Sequence, residues 1–199
     1  MYMKKLLLAV FLLAAMTGII RPVQAQMEYG LIGGINFGYY QNVPPITDAI
    51  SSLGYMIGVR GSLGSNIFFE PAIEFASYGS TLTDGPADIT DHKMRSNYIR
   101  VPLQVGAKIF DDAPVNIEVR AGISESFVVG FTDQVTSGPS PAFTKSDIRG
   151  TRTAAIKGGG VRLYILKIVL EYEWGLTNFF VNNGTSKLNA FYIILGGNF

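Results

Sequence analysis

Tyr98-Ile99-Arg100-Val101-Pro102-Leu103-Gln104-Val105-Gly106-Ala107-Lys108 is the stretch on which the reading turns. Ile99, Val101, Leu103, Val105 and then Ile109 fall on one parity, and Tyr98, Arg100, Gln104, Gly106 and Lys108 on the other. Alternation at this period is the signature of a strand with one apolar and one polar face. The same pattern recurs upstream, where Ile67, Phe69, Ile73 and Phe75 oppose Glu70, Ala72, Glu74 and Ala76. It recurs downstream, where Ile168, Leu170, Tyr172, Trp174 and Leu176 oppose Glu171, Glu173, Gly175 and Thr177. In all, the period predicts eight strands, near 28–40, 53–63, 66–78, 95–109, 115–130, 151–164, 167–180 and 188–199.

Alternation alone does not say which face meets water. Connection length does. Segments 41–52, 79–94 and 131–150 are long, whereas Gly64-Ser65, Asp111-Asp112-Ala113-Pro114 and the neighbourhood of Leu166 read as tight turns, with a modest loop at 181–187. Long loops at one rim and short turns at the other are the pattern of outer-membrane barrels. The last strand alternates to an aromatic end, so Phe191, Ile193, Leu195 and Phe199 resemble the C-terminal signal read during barrel insertion. Tyr29, Phe110, Tyr164 and Phe199 fall near the short-turn rim and Tyr39, Tyr55, Tyr78, Phe131 and Phe179 near the other, where amphipathic rings favour the membrane interfaces. The fold expected is all-β, an eight-stranded antiparallel up-and-down transmembrane β-barrel. Closure is obligatory, because an unpaired amide in hydrocarbon costs several kcal/mol and a spanning sheet can have no free edge.

Turning the polar face inward sends Arg60, Arg100, Lys108, Arg120, Lys157 and Arg162 into the lumen with Glu70, Glu74, Glu118, Glu171 and Glu173. Eight strands enclose a space only wide enough for side chains. Near-balanced charges there should interlock as a plug, each needing a partner to offset its desolvation. Pro71 and Pro102 lack a ladder donor and lead us to expect bulges. Gly158-Gly159-Gly160 reads as a kink, without the spacing of a phosphate loop. Lys157 and Arg162 both face inward only if a bulge lies between them. Glu125 sits on the apolar parity of its strand.

The N-terminus reads as an address. Lys4-Lys5, an apolar run from Leu6 to Met16 and Val23-Gln24-Ala25 before Gln26 form the three parts of a secretory signal peptide, with cleavage expected after Ala25. The run is shorter than the roughly 20 residues of a membrane-crossing helix. Residues 26–199 would then form the barrel domain. The 199 residues include 48% hydrophobic and 16% charged side chains, 23 Gly and no Cys, with 16 basic and 15 acidic groups. No thiolate chemistry or disulfide framework is open to such a chain. A nucleic-acid partner is excluded too, for want of a cationic surplus.

His92, the single histidine, lies near Asp88, Asp91 and Ser96, the residue types of a rim-located lipid hydrolase. A hydrolase needs its base held against the nucleophile, and a segment with Gly85 and Pro86 offers no such rigidity, so His92 reads as a surface residue. Asp84, Asp88 and Asp91 carry oxygen ligands but match no dedicated calcium loop. No metal and no cofactor is expected. Ser137-Gly138-Pro139-Ser140-Pro141-Ala142 reads as a mobile connector, and 79–94 and 131–150 are the segments best exposed to an envelope protein partner. Outer-membrane lipid and the barrel-assembly machinery are the other partners expected. A narrow channel and a lipid-modifying enzyme using His92 stand as alternatives to a non-enzymatic barrel.

With its central V-P-L, the strand 98–108 resembles the fourth-strand signature of the PorT-like outer-membrane β-barrel family, porin-like barrels of the eight-stranded OmpA/OmpX type. Gly30 to Phe37 resembles the early G-x-x-x-G-I-N-F of that family, and the aromatic C-terminus fits it as well. The resemblance implies the fold, tolerates Pro102 within a strand, and offers no catalytic residue. Its namesake assists a protein secretion system, which would imply a role in envelope structure, adhesion or protein assembly.

Overall fold

The computed structural model describes residues 27–41, 46–84, 90–112, 115–138, 143–181 and 186–198. The expected signal peptide, Asp88 and Phe199 lie outside them. Eight strands, β1 (Met27–Gln41), β2 (Ile46–Gly64), β3 (Ile67–Asp84), β4 (Thr90–Asp112), β5 (Val115–Ser137), β6 (Thr151–Leu163), β7 (Leu166–Gly175) and β8 (Lys187–Asn198), close into one barrel. Each is antiparallel to the next, and β8 returns to β1 from Gly30↔Asn198 to Gln41↔Lys187. No sheet edge remains, as hydrocarbon demands.

Within the band the outward parity is apolar on seven strands, and on β6 it is mixed, with Lys157 among small and apolar residues. Leu31, Ile57, Ile73, Val105, Ile123, Ile168 and Leu195 each expose about half or more of their surface. In water such a continuous aliphatic band would be a severe aggregation hazard. Against acyl chains it is the solvent-matched surface. Tyr29, Phe110 and Tyr164 ring the short-turn end and Tyr55 the other. Tyr78 and Phe179, expected in the upper girdle, are buried inside the barrel instead.

The strands outrun the expected ones at the long-loop end. Much of 41–52 and 79–94 is ladder: Gly79↔Arg95 continues to Asp84↔Thr90, and β5 runs to Ser137. The 23 residues of β4 or β5 span about 75 Å at roughly 3.3 Å each, far more than a band about 25 Å tall requires even when tilted. Above the band the outward face meets polar surroundings, so the apolar outward row fades while the ladder persists. β7, in contrast, ends at Gly175, short of the expected 180.

The irregularities also fall elsewhere than expected. Pro71↔Leu103 and Glu74↔Arg100 share one register, and Pro102↔Ser124 sits in an unbroken run, so neither proline shifts its strand. The shifts between β4 and β5 occur at Asp91/His92, Asn97/Tyr98 and Lys108/Phe110. Across Gly158-Gly159-Gly160 the pairing with β5 and β7 is continuous. No bulge separates Lys157 from Arg162, and only one of them can face the lumen.

Candidate functional site

Inward parity brings ten charged side chains into one connected cluster. Arg60 Nη1 lies 3.1 Å from Glu70 Oε1, and its Nη2 lies 3.2 Å from both Glu74 and Glu171. Arg100 donates from Nε to Glu173 Oε2 at 2.7 Å, pairs with Glu74, and reaches Glu171 at 3.5 Å. Arg120 pairs with Glu70 and Glu118. Lys167 bridges the same two carboxylates at 2.9 and 2.7 Å, and Arg152 pairs with Glu173. Gln104 donates to Glu171 at 3.1 Å. Five cations and five carboxylates therefore neutralise one another, all nearly inaccessible to solvent. Buried charges persist only when paired this completely.

The expected lumen set is corrected at its edges. Lys157 points outward, its ammonium 4.3 Å from the centroid of the Trp174 ring, because β6 keeps Arg152, Ala154, Ile156, Gly160 and Arg162 inward without interruption. Arg162 stands apart from the cluster and pairs with Glu28 at 2.7 Å. Lys108 is half-buried opposite Glu118 in the ladder. Arg152 and Lys167 are the members missed. Both lie on the parity that an unbulged register would have sent inward, and that parity was the available signal. Glu125 keeps its outward parity and accepts a hydrogen bond from Thr153 Oγ1 at 2.7 Å.

Above the charges the lumen is not polar. Tyr98 and Tyr192 each set an edge against Tyr78, with centroids 5.4 and 6.2 Å apart, and Arg100 lies over the Tyr192 ring at 4.6 Å. Tyr192 also donates its hydroxyl to Glu173 at 3.0 Å, which joins the aromatic tier to the ionic one. Higher still, Tyr40, Leu82, Met94 and Leu188 pack with Ile148, Phe179 and Phe180. The last three come from connecting segments that fold over the mouth. Arg149 N–H donates to Phe179 O, Val181 N–H to Asp147 O and Val128 N–H to Gly150 O, all within 2.8 to 2.9 Å. The Asp147 carboxylate accepts from the Thr144 N–H and hydroxyl at 2.7 Å each, and those bonds hold it below the usual carboxylate range. The described part of 131–150 is thus strand and cap.

His92 is the second correction. It is buried at 1% exposure, donating from Nδ1 to Asp133 Oδ2 at 2.7 Å, and the same oxygen accepts from the Phe143 N–H at 2.8 Å. The imidazole packs on Phe143, centroids 4.9 Å apart, and Phe143 on Phe180. Ser96 lies four residues away on the same strand, about 13 Å, and its hydroxyl faces Tyr40. The candidate base and nucleophile are not brought together. Sequence proximity had hidden the real partner, Asp133, 41 residues distant. Among the described residues no group of His, Asp or Glu is arranged to hold a metal ion.

The insertion-signal positions Phe191, Ile193 and Leu195 lie on the outward parity of β8, alternating with buried Tyr192 and Ile194.

Residues 23–181 match the family model described as an outer membrane protein beta-barrel domain. No curated protein matches the chain. Among solved structures, the attachment invasion locus protein Ail of Yersinia pestis, in complex with the heparin analogue sucrose octasulfate, is 13% identical. That match covers 87% of this chain and 99% of that one, with a TM-score of 0.47. Neisserial surface protein A is 11% identical over 85% of this chain and 95% of its own, with a TM-score of 0.49. OprG of Pseudomonas aeruginosa is 8% identical over 86% and 95%, with a TM-score of 0.47.

Proposed function

We propose that this chain, which belongs to the outer membrane protein β-barrel domain family, is a non-enzymatic envelope protein that acts through the outer surface of its raised wall. The observation that carries this reading is the occupied interior. Ten interlocked charges sit beneath four tyrosines and an apolar cap, which supports a closed lumen over a narrow channel. A His92 held by Asp133 away from Ser96 supports a structural residue over a lipid-modifying one. What is left for function is the β wall that β2 to β5 raise beyond the lipid, and envelope structure, adhesion and assembly or secretion of other proteins are tasks such a wall can perform.

The PorT-like affiliation, carried by Val101-Pro102-Leu103 and by Gly30 to Phe37, belongs to the same proposal. So do recognition of the C-terminal strand by the barrel-assembly machinery and an envelope protein partner along 79–94 and 131–150. The test is a pair of measurements. In planar bilayers the purified chain should give no steady conductance, and in the native envelope a crosslinker placed at Thr83 or Thr136 should capture a partner that one placed at Ile168 does not. Steady conductance, or equal capture from both positions, would overturn the reading.

A further inference from the structure

The raised wall carries a cationic recess that neither the lumen nor the cap uses. Lys93 and Arg95 project outward from β4 and are exposed. They are two residues apart, so their stems stand about 7 Å apart along the strand. In the ladder Arg95 faces Gly79 on one side and Thr132 on the other, Gly79 faces Ser52, and Lys93 faces Gln134. Ser52, Gly79, Lys93, Arg95, Thr132 and Gln134 line a recess of about 180 Å³. Gly79 makes the depression, since a Cβ there would meet the Ser52 Cβ at 3.0 Å. Arg95 donates from Nη1 to Ser77 Oγ at 3.1 Å, which fixes the guanidinium at the edge of the recess. No carboxylate is among the described residues that line it. A held guanidinium and an exposed ammonium with hydroxyl and amide groups around them are the donor set for an anion carried on a polar body. Arginine supplies a planar fork to its oxygens and lysine a point charge.

Height decides which anion. Ile99 pairs with Phe75 on one side and Phe127 on the other, and Tyr55 packs on Phe75 with centroids 6.2 Å apart. Ile99 is the last apolar outward residue of β4 before the strand turns polar at Asn97, Arg95 and Lys93, while Leu53 of β2 and Val129 of β5 stay exposed near the level of Asn97. Four residues of a tilted strand raise Arg95 about 10 Å above Ile99, from the acyl region into the headgroups. In the outer leaflet of an outer membrane those headgroups are phosphorylated saccharides. We propose that the Lys93–Arg95 recess binds the phosphate of an outer-leaflet glycolipid, with Ser52, Thr132 and Gln134 set to meet the sugar hydroxyls. The recess would moor the barrel to its own membrane, independently of any role of the wall toward a protein partner.

The probes are diphosphoryl lipid A, the same lipid stripped of phosphate, and inorganic phosphate, each titrated into the purified full chain in detergent and read by native mass spectrometry. The expected result is one retained diphosphoryl lipid per barrel. Binding should weaken about tenfold or more in K93Q/R95Q, as loss of two charge-assisted contacts requires. The stripped lipid should bind the native chain no better than the phosphorylated lipid binds that variant, and inorganic phosphate should compete only in large excess. Equal affinity of variant and native chain, equal binding of the stripped lipid, or inorganic phosphate binding as tightly as the lipid would overturn the proposal. T132E leaves both cations in place and adds a carboxylate to the recess, so it should reproduce the loss. Unchanged affinity in T132E would be equally fatal.

Discussion

Replacing Arg100 with methionine removes the most enclosed cation of the lumen. Arg100 has no solvent exposure and serves Glu74, Glu171 and Glu173 while lying over Tyr192. In R100M four cations face five carboxylates, and Glu173 keeps a single cation, Arg152, beside the Tyr192 hydroxyl. Breaking a buried pair by deleting one partner costs about 3–5 kcal/mol. With a urea slope near 2 kcal/mol per M, the unfolding midpoint in lipid vesicles should fall by roughly 2 M, read as loss of heat-modifiable migration on a gel. R100E should fall further, because six carboxylates would then face four cations. The decisive variant is R100M/E74M. Arg60 still holds Glu70 and Glu171, neutrality returns at four against four, and replacement of a whole buried pair by apolar groups is often neutral. It should recover at least half the loss. A midpoint unmoved in R100M, or a double variant no better than R100M, would refute a lumen held by mutual neutralisation.

Lys157→Leu should stabilise the barrel. A lysine on the lipid face near mid-band costs about 2–4 kcal/mol, more than the contact with Trp174 returns, so the urea midpoint should rise by about 0.5 M or more, and a fall would contradict lipid exposure there. Gly106→Ala should destabilise by about 1–3 kcal/mol, since its Cβ would come 2.3 Å from Phe68, a buried ring that lies near Arg120 and Lys167. Trimming that ring in G106A/F68L should restore much of the midpoint, and no restoration would discount the clash. His92→Ala should loosen the cap alone. Amide exchange at Phe143 and Phe180 should quicken roughly tenfold, matching about 1–3 kcal/mol for a lost buried hydrogen bond, with the envelope lipid profile unchanged. Unaltered exchange would deny His92 its role as a strut.

The barrel was legible because the lipid band imposes a strict period. Ile168-Leu170-Tyr172-Trp174 could face only one way. Legibility failed wherever that band stopped acting. Thr81, Thr83, Lys93 and Arg95 continue the ladder of β3 and β4 with no apolar row to announce it, so they read as loop. The interior was half legible. Long charged residues declared themselves, but choosing Lys157 for the lumen forced an imagined bulge and displaced Arg152. Tyr78 and Phe179 read as girdle aromatics because an aromatic ring suits an interface and a plug equally well. His92 was misplaced because its partners lie far along the chain: Asp133 comes from β5, whose pairing with the upper part of β4 no apolar row announced, and Phe143 from the segment that follows β5.

The central claim, that the aliphatic rows meet lipid around a sealed ionic core, can be tested without any mutation. The chain has one tryptophan, Trp174, which is 38% exposed on the outward face of β7 beside Tyr172 and Lys157. In vesicles of lipids brominated along their acyl chains, its fluorescence should be strongly quenched, while acrylamide added to the water should have little effect. Strong quenching from water with none from the brominated chains would mean that this face does not meet lipid.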